Sequence, residues 1–166
     1  MTFFMCPEKL LLDSMCGKLA RWLRLLGFDA DYSKEADDEA LLSEAERTGR
    51  VIVTRDQGLY NKAVKRGLKC LLLTSTDHVE NMRKVLRELN AKITFPPRET
   101  RCPLCNSPLR EVDPNSVMTL LPSKDLAKRY DKFWLCERCE KAYWVGSHWR
   151  NIKKTLREVE GCVEES

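Results

Sequence analysis

Apolar and polar positions alternate along residues 8–90 in two rhythms. Short apolar runs of strand length recur as "KLLLD" (9–13), "FDADY" (28–32), "RVIVT" (50–54) and "LKCLLLT" (68–74). Between them lie segments with helical spacing: "GKLARWLRLLG", "DDEALLSEAERTG", "QGLYNKAVKRG" and "HVENMRKVLREL". The first three end in glycine, a natural helix stop. In the first, Leu19, Trp22, Leu23 and Leu26 form one apolar face, with Lys18, Arg21 and Arg24 beside it. Strands alternating with helices predict an α/β fold with a parallel sheet. The near-continuous apolar strands fit a sheet covered on both faces.

The pattern changes at "AKITFPPRET", where two prolines interrupt it. Beyond lie two C-x2-C pairs, "CPLC" (Cys102, Cys105) and "CERC" (Cys136, Cys139), with thirty residues between them. Each turn brings two thiolates within reach of one ion, and two turns complete a tetrahedron of the kind structural zinc takes. The reading is therefore a small Zn²⁺ ribbon whose metal substitutes for a large core. Within it, "VMTLLP" and "FWLC" read as short strands. "AYWVGSHW" reads as a further strand and "RNIKKTLREVEG" as a basic helix. The predicted division is 1–95 for the α/β domain, 98–157 for the zinc ribbon with its helix, and 158–166 for an acidic tail.

Charge sharpens this division. Residues 98–157 carry 13 Lys and Arg against 7 Asp and Glu, whereas the whole chain is only +4. A basic ribbon favours a phosphate-bearing partner. No apolar run reaches the ~18 residues that span a bilayer, and no secretory signal is evident at the start. The expected location is the cytoplasm, which weakens the disulfide framework that eight cysteines could otherwise suggest. Cys70 reads as a small buried hydrophobe. Cys16, near Asp13, lacks a local histidine to make it a nucleophile.

Acids stand at the ends of apolar strands. Asp13 follows the first and Asp56 the third, and Asp37 and Asp38 open the helix between them. Ligands of parallel sheets gather at these carboxyl ends. Aspartate is also a favoured helix cap, so either role explains each acid taken singly. As a set, three carboxylates would repel one another, which a hard divalent cation such as Mg²⁺ or Mn²⁺ relieves. That repulsion predicts that Asp13→Asn stabilises the metal-free protein.

Together, "LLLDSMCGKLARWLRLLGFD", "DDEALLSEAERTGRVIVTRD", the paired cysteines and "YWVGSHW" resemble the Mut7-C ribonuclease family over roughly residues 9–150. The resemblance implies a PIN-like nuclease domain with a C-terminal zinc ribbon, and metal-dependent cleavage of RNA. It implies Asp13, Asp38 and Asp56 as the catalytic acids, with Asp38 a better match than Asp37. Asp77 is the one candidate for a fourth acid, and it also stands where a helix cap belongs. Expected RNA contacts are Lys18, Arg21, Arg55, His148, Trp149 and Arg150: cations for phosphates, rings for bases. The alternative is a non-catalytic module on the same scaffold that binds RNA or protein through the ribbon.

Overall fold

A computed structural model describes residues 8–95, 97–157 and 163–165. Its first half is a doubly wound sandwich. Strands β1 (Leu10–Leu12), β2 (Ala30–Tyr32), β3 (Val51–Thr54) and β4 (Cys70–Leu72) are joined by helices α1 (Gly17–Leu25), α2 (Asp38–Thr48) and α3 (Gln57–Lys65). Helix α4 (His78–Glu88) follows. All four strands are parallel, in the order β2-β1-β3-β4. Alternation along each strand divides the core into two layers. Leu10, Leu12, Val51 and Val53 pack with α1 and α4, while Leu11 and Ile52 pack with α2 and α3.

The chain leaves β1 toward one side of the sheet and returns across it to reach β3. Neighbouring strands β1 and β3 therefore flank the point where strand order reverses, the place where parallel sheets of this kind gather ligands.

Strand β5 (Ile93–Phe95) then leads to the cysteine-bearing segment. This contains β6 (Arg110–Val112), a 3-10 helix (Pro114–Leu120), a short α5 (Leu126–Arg129), β7 (Phe133–Cys136) and β8 (Lys141–Trp144). Strands β6, β7 and β8 form an antiparallel sheet over a small cluster of Val112, Val117 and Phe133. The stretch "VMTLLP" was expected as a strand but lies mostly in the 3-10 helix. Asp113 caps that turn through Ser116 N at 3.1 Å, and Pro114 fixes its first position.

Helix α6 (Ser147–Arg157) continues from β8 but sends its apolar face elsewhere. Trp149, Ile152 and Leu156 are buried with α1, α4 and the large sheet. A last strand, β9 (Val163–Glu165), pairs in parallel with β5, so part of the segment expected as a tail is ordered in a sheet. Cys6, Cys162 and the remainder of that tail lie outside the described residues.

The two halves are joined by specific bonds. Arg24 is buried rather than facing phosphate, and donates to the carbonyls of Ala30 (2.7 Å) and Pro103 (2.9 Å). Asn106 accepts from Ala30 N and donates to Asp29 at 2.8 Å. Burial alone would raise the Asp29 carboxyl, but Arg50, Asn106 and Arg101 more than offset it and hold it below its usual range. Thr100 Oγ1 and Arg101 N cap the last carbonyls of α1, those of Leu25 and Arg24. The linker passes so close that a Cβ on Gly27, whose φ is +97°, would sit 2.5 Å from the Glu99 carbonyl oxygen. Among the described residues, no helix is long and apolar enough to cross a membrane.

Candidate functional site

Asp13 extends β1 by one residue and is 6% exposed. One carboxylate oxygen accepts from Met15 N at 3.1 Å, and the other accepts from the hydroxyl of fully buried Thr54. Thr54 ends β3, across the switch point, and its Oγ1 in turn accepts from Asp56 N at 2.9 Å. A relay of hydrogen bonds thus runs from Asp56 through Thr54 to Asp13. The Asp56 side chain is exposed and caps α3 through Leu59 N at 3.0 Å.

Asp37, not Asp38, caps α2, accepting from Ala40 N at 2.8 Å. That leaves the Asp38 carboxylate free of the helix end. It pairs with Lys62 of α3 at 2.9 Å. The bond to Asp38 and its charge, reinforced by Glu39 and Asp56, hold Lys62 above the usual lysine range. Asp77 is exposed and caps α4 through Val79 N at 2.8 Å.

All four acids follow the carboxyl ends of parallel strands and so share one edge of the sheet. Their oxygens do not form a closed cage. Among the described residues, the one group of three or more His, Cys, Asp or Glu ligand atoms within 4.8 Å of one another is Cys102, Cys105, Cys136 and Cys139. The acids suit a hard cation in kind, but each already has a partner within the protein. Asp56 is engaged through one oxygen, Oδ1, and Asp38 through one, Oδ2.

The thiols need no such rearrangement. Cys102 and Cys139 sulfurs are 3.9 Å apart, and those of Cys105 and Cys136 are 3.6 Å apart. Zinc–sulfur bonds of ~2.3 Å in a tetrahedron require sulfurs about 3.8 Å apart, so the four fit zinc as they stand. Without an ion the sulfurs share protons. Hydrogen bonding with Cys105, then burial, pushes Cys139 up to about 12. Burial opposes ionisation of Cys105 too, yet bonds from Ser107 and the neighbouring thiols bring it down to about 6. Tyr143 Oη, 3.3 Å from Cys102, is placed to donate to that sulfur once it is a thiolate.

Cys16 is no nucleophile at neutral pH. Burial, the Asp13 charge and a bond to Asp13 push it up to about 12, with Arg55 pulling the other way. Arg55 is half-buried and follows Thr54 directly at the end of β3. Lys18, Arg21 and Arg150 are exposed, as phosphate contacts must be. Trp149 is not: it is 2% exposed and stacks on Trp134 with ring centroids 5.6 Å apart. Its role in the core removes most of the ring from any base. The side chain of His148 lies outside the described residues.

A model of the Mut7-C RNAse domain family matches residues 8–156. The chain belongs to that family. Among curated proteins, this Mut7-C chain is similar to "Exonuclease mut-7 homolog" from Homo sapiens, at 32% identity over 97 residues. That alignment covers 57% of the Mut7-C chain but 11% of the human protein, so the chain spans a small part of that relative's length. No solved structure matches the chain at a significant level.

Two residues of the Mut7-C edge escaped sequence reasoning. Thr54 looked like the end of a β-branched strand, and Lys62 like a solvated helix residue. A signal existed for Lys62: it lies one and a half turns beyond the capping Asp56, on the helix that pairs with α2 over one sheet face.

Proposed function

We propose that this chain is a metal-dependent ribonuclease. A PIN-like domain at residues 1–95 performs the hydrolysis, and a zinc ribbon at 98–157 positions the RNA. The observation that carries this reading is Asp13. A carboxylate buried at a switch point, oriented by Thr54 from the neighbouring strand, is placed for chemistry rather than for solubility. Asp13, Asp38 and Asp56 would hold Mg²⁺ or Mn²⁺, which when bound supplies charge stabilisation and a more acidic water.

The chain's own groups do the rest. Thr54 holds the Asp13 carboxylate in one orientation. Arg55, at the carboxyl end of β3, can grip the scissile phosphate and offset its developing charge. Lys62 pairs with Asp38 and, were that carboxylate to hold a cation, would be left available to a phosphate. Zinc at the four cysteines has no open position and serves structure alone.

The second reading is a binding module without catalysis. It is favoured by the existing partners of the acids: a helix cap for Asp56 and an ion pair for Asp38. One experiment separates the two. Zinc-loaded protein and its Asp13→Asn variant are incubated with defined RNA and DNA strands, with added Mn²⁺ or with none. Cleavage of RNA that needs Mn²⁺ and is lost in the variant supports the nuclease. RNA binding with no cleavage under any metal supports the module.

A further inference from the structure

We infer that the seam between α1 and the zinc ribbon is a subsite for an unpaired RNA base and its phosphates. The inference deepens the ribonuclease reading and rests on it for the choice of RNA. The seam is a groove of about 690 Å³, within the range of sites for drug-sized ligands. Lys18, Arg21 and Trp22 of α1 form one wall, and Leu104, Lys141 and Trp144 of the ribbon form the other.

Three features suit it to a nucleotide. First, the walls present rings and cations together. The described lining carries Lys18, Arg21 and Lys141 and no acid, so its charge is complementary to phosphate. Second, both tryptophans are held in place from outside the groove. His78 meets the Trp22 ring edge-on with centroids 4.5 Å apart. The Trp144 indole lies against Phe133 on one side. On the other it fills the space where a Cβ of residue 146 would be, 2.8 Å from its Nε1. Gly146 thus permits this ring position. Third, the groove starts at the right place. Lys18 is in the first turn of α1, four residues after the break that follows β1 and Asp13. A strand bound along α1 therefore runs toward the acidic edge.

Rigid rings select bases that are free to stack, so the occupant is single-stranded RNA rather than a duplex, whose bases are already stacked. The half-exposed Leu104, at the tip of the first knuckle, offers an apolar contact to the opposite face of such a base.

The test reads binding, not cleavage. Zinc-loaded full chain is titrated with fluorescent oligouridine, oligoadenosine and a duplex of the same length, without added Mg²⁺ or Mn²⁺. Arg21→Glu with Lys141→Glu is expected to weaken single-strand binding by at least about tenfold. Gly146→Ala, which displaces the Trp144 ring without removing it, is expected to weaken it severalfold with the fold retained by circular dichroism. Oligonucleotides carrying 5-iodouridine are expected to crosslink to Trp22, Tyr143 or Trp144. Crosslinks elsewhere, unchanged affinity in the charge-reversed variant, or equal affinity for the duplex would each overturn the subsite. A protein that cuts RNA while all variants bind normally loses the groove and keeps the nuclease. One that binds single strands through the groove but never cuts loses the nuclease and keeps the groove.

Discussion

The thiol cluster and the acidic edge are both sets of side chains of kinds that can ligate metals, and they are built in opposite ways. Four sulfurs already stand at tetrahedral separations, brought there by two tight turns within one small segment. The acids come from three strand ends and a helix start spread along residues 13–77, and each is engaged by a neighbour. Under the proposed function, the difference matches the job that each ion would have. A structural site gains most by being complete, because its binding energy is folding energy. A catalytic site for a hard cation must exchange ligands and admit substrate, so provisional partners for the acids are no defect.

Removing zinc is the harshest way to break this comparison. The ribbon's own core is small, with Val112, Val117 and Phe133 at its centre. Structural zinc in small domains contributes about 10–16 kcal/mol of apparent binding energy. Chelation is therefore expected to unfold β6, β7 and β8 while β1–β4 keep their structure. Hydrogen exchange on the full chain measures this directly. Retained protection in β7 after chelation would show that packing, not metal, holds the ribbon.

Thr54→Val tests the acidic edge with one atom's change in chemistry. It removes the donor to buried Asp13 and the acceptor for Asp56 N. Stability is expected to fall by about 1–3 kcal/mol in denaturant melts. Mn²⁺ affinity, read by calorimetry, is expected to fall about 10–100-fold, as for other residues that orient a metal ligand. Lost stability with unchanged Mn²⁺ binding would reduce the relay to a structural link.

The same bonds explain where sequence reasoning stopped. Its strand and helix alternation was legible because β1, β3 and β4 are mostly apolar and glycines follow the first three helical segments. The cysteine spacing was legible because it is local. The partners of the acids were not. Repulsion among three carboxylates led to the expectation that Asp13→Asn stabilises the metal-free protein. In the structure, Asp13 accepts two hydrogen bonds and Asp38 has a lysine for a counter-charge. An amide at position 13 accepts through one atom only, so the variant is now expected to melt at a lower temperature. The partners of helix α6 were hidden for a related reason. Trp149, Ile152 and Leu156 follow a helical stripe, but which core that stripe enters depends on packing against elements distant in the chain. Trp149 joins the large core and also stacks on Trp134 of the ribbon.

Lys62→Met sharpens the comparison further by removing the provisional partner of Asp38. If a cation and Lys62 compete for that carboxylate, Mn²⁺ affinity is expected to rise, by up to about fivefold for an exposed pair. Raised salt should narrow the gap between variant and wild type, because the competing pair is exposed to screening. Unchanged or weaker Mn²⁺ binding would mean that Asp38 does not reach the ion.

The smallest expected effect lies at the other end of the groove. Burial, then the charge of Lys18, holds His78 below the usual histidine range, with Asp77 pulling weakly the other way. The unfolded chain takes up this proton near pH 6.5, the folded chain only at lower pH. Between those values the unfolded state binds more protons, so stability is full above about 6.5 and is lost as pH falls through the folded value. The imidazole Nε2 is buried with no hydrogen-bond partner among the described residues, which fits a neutral ring packed on Trp22. His78→Phe keeps a ring against Trp22 but cannot titrate. Between pH 7 and 5 the wild type is therefore expected to lose about 2 °C more in Tm than the variant. Equal losses would show that His78 does not couple protonation to folding, and that Trp22 is held without it.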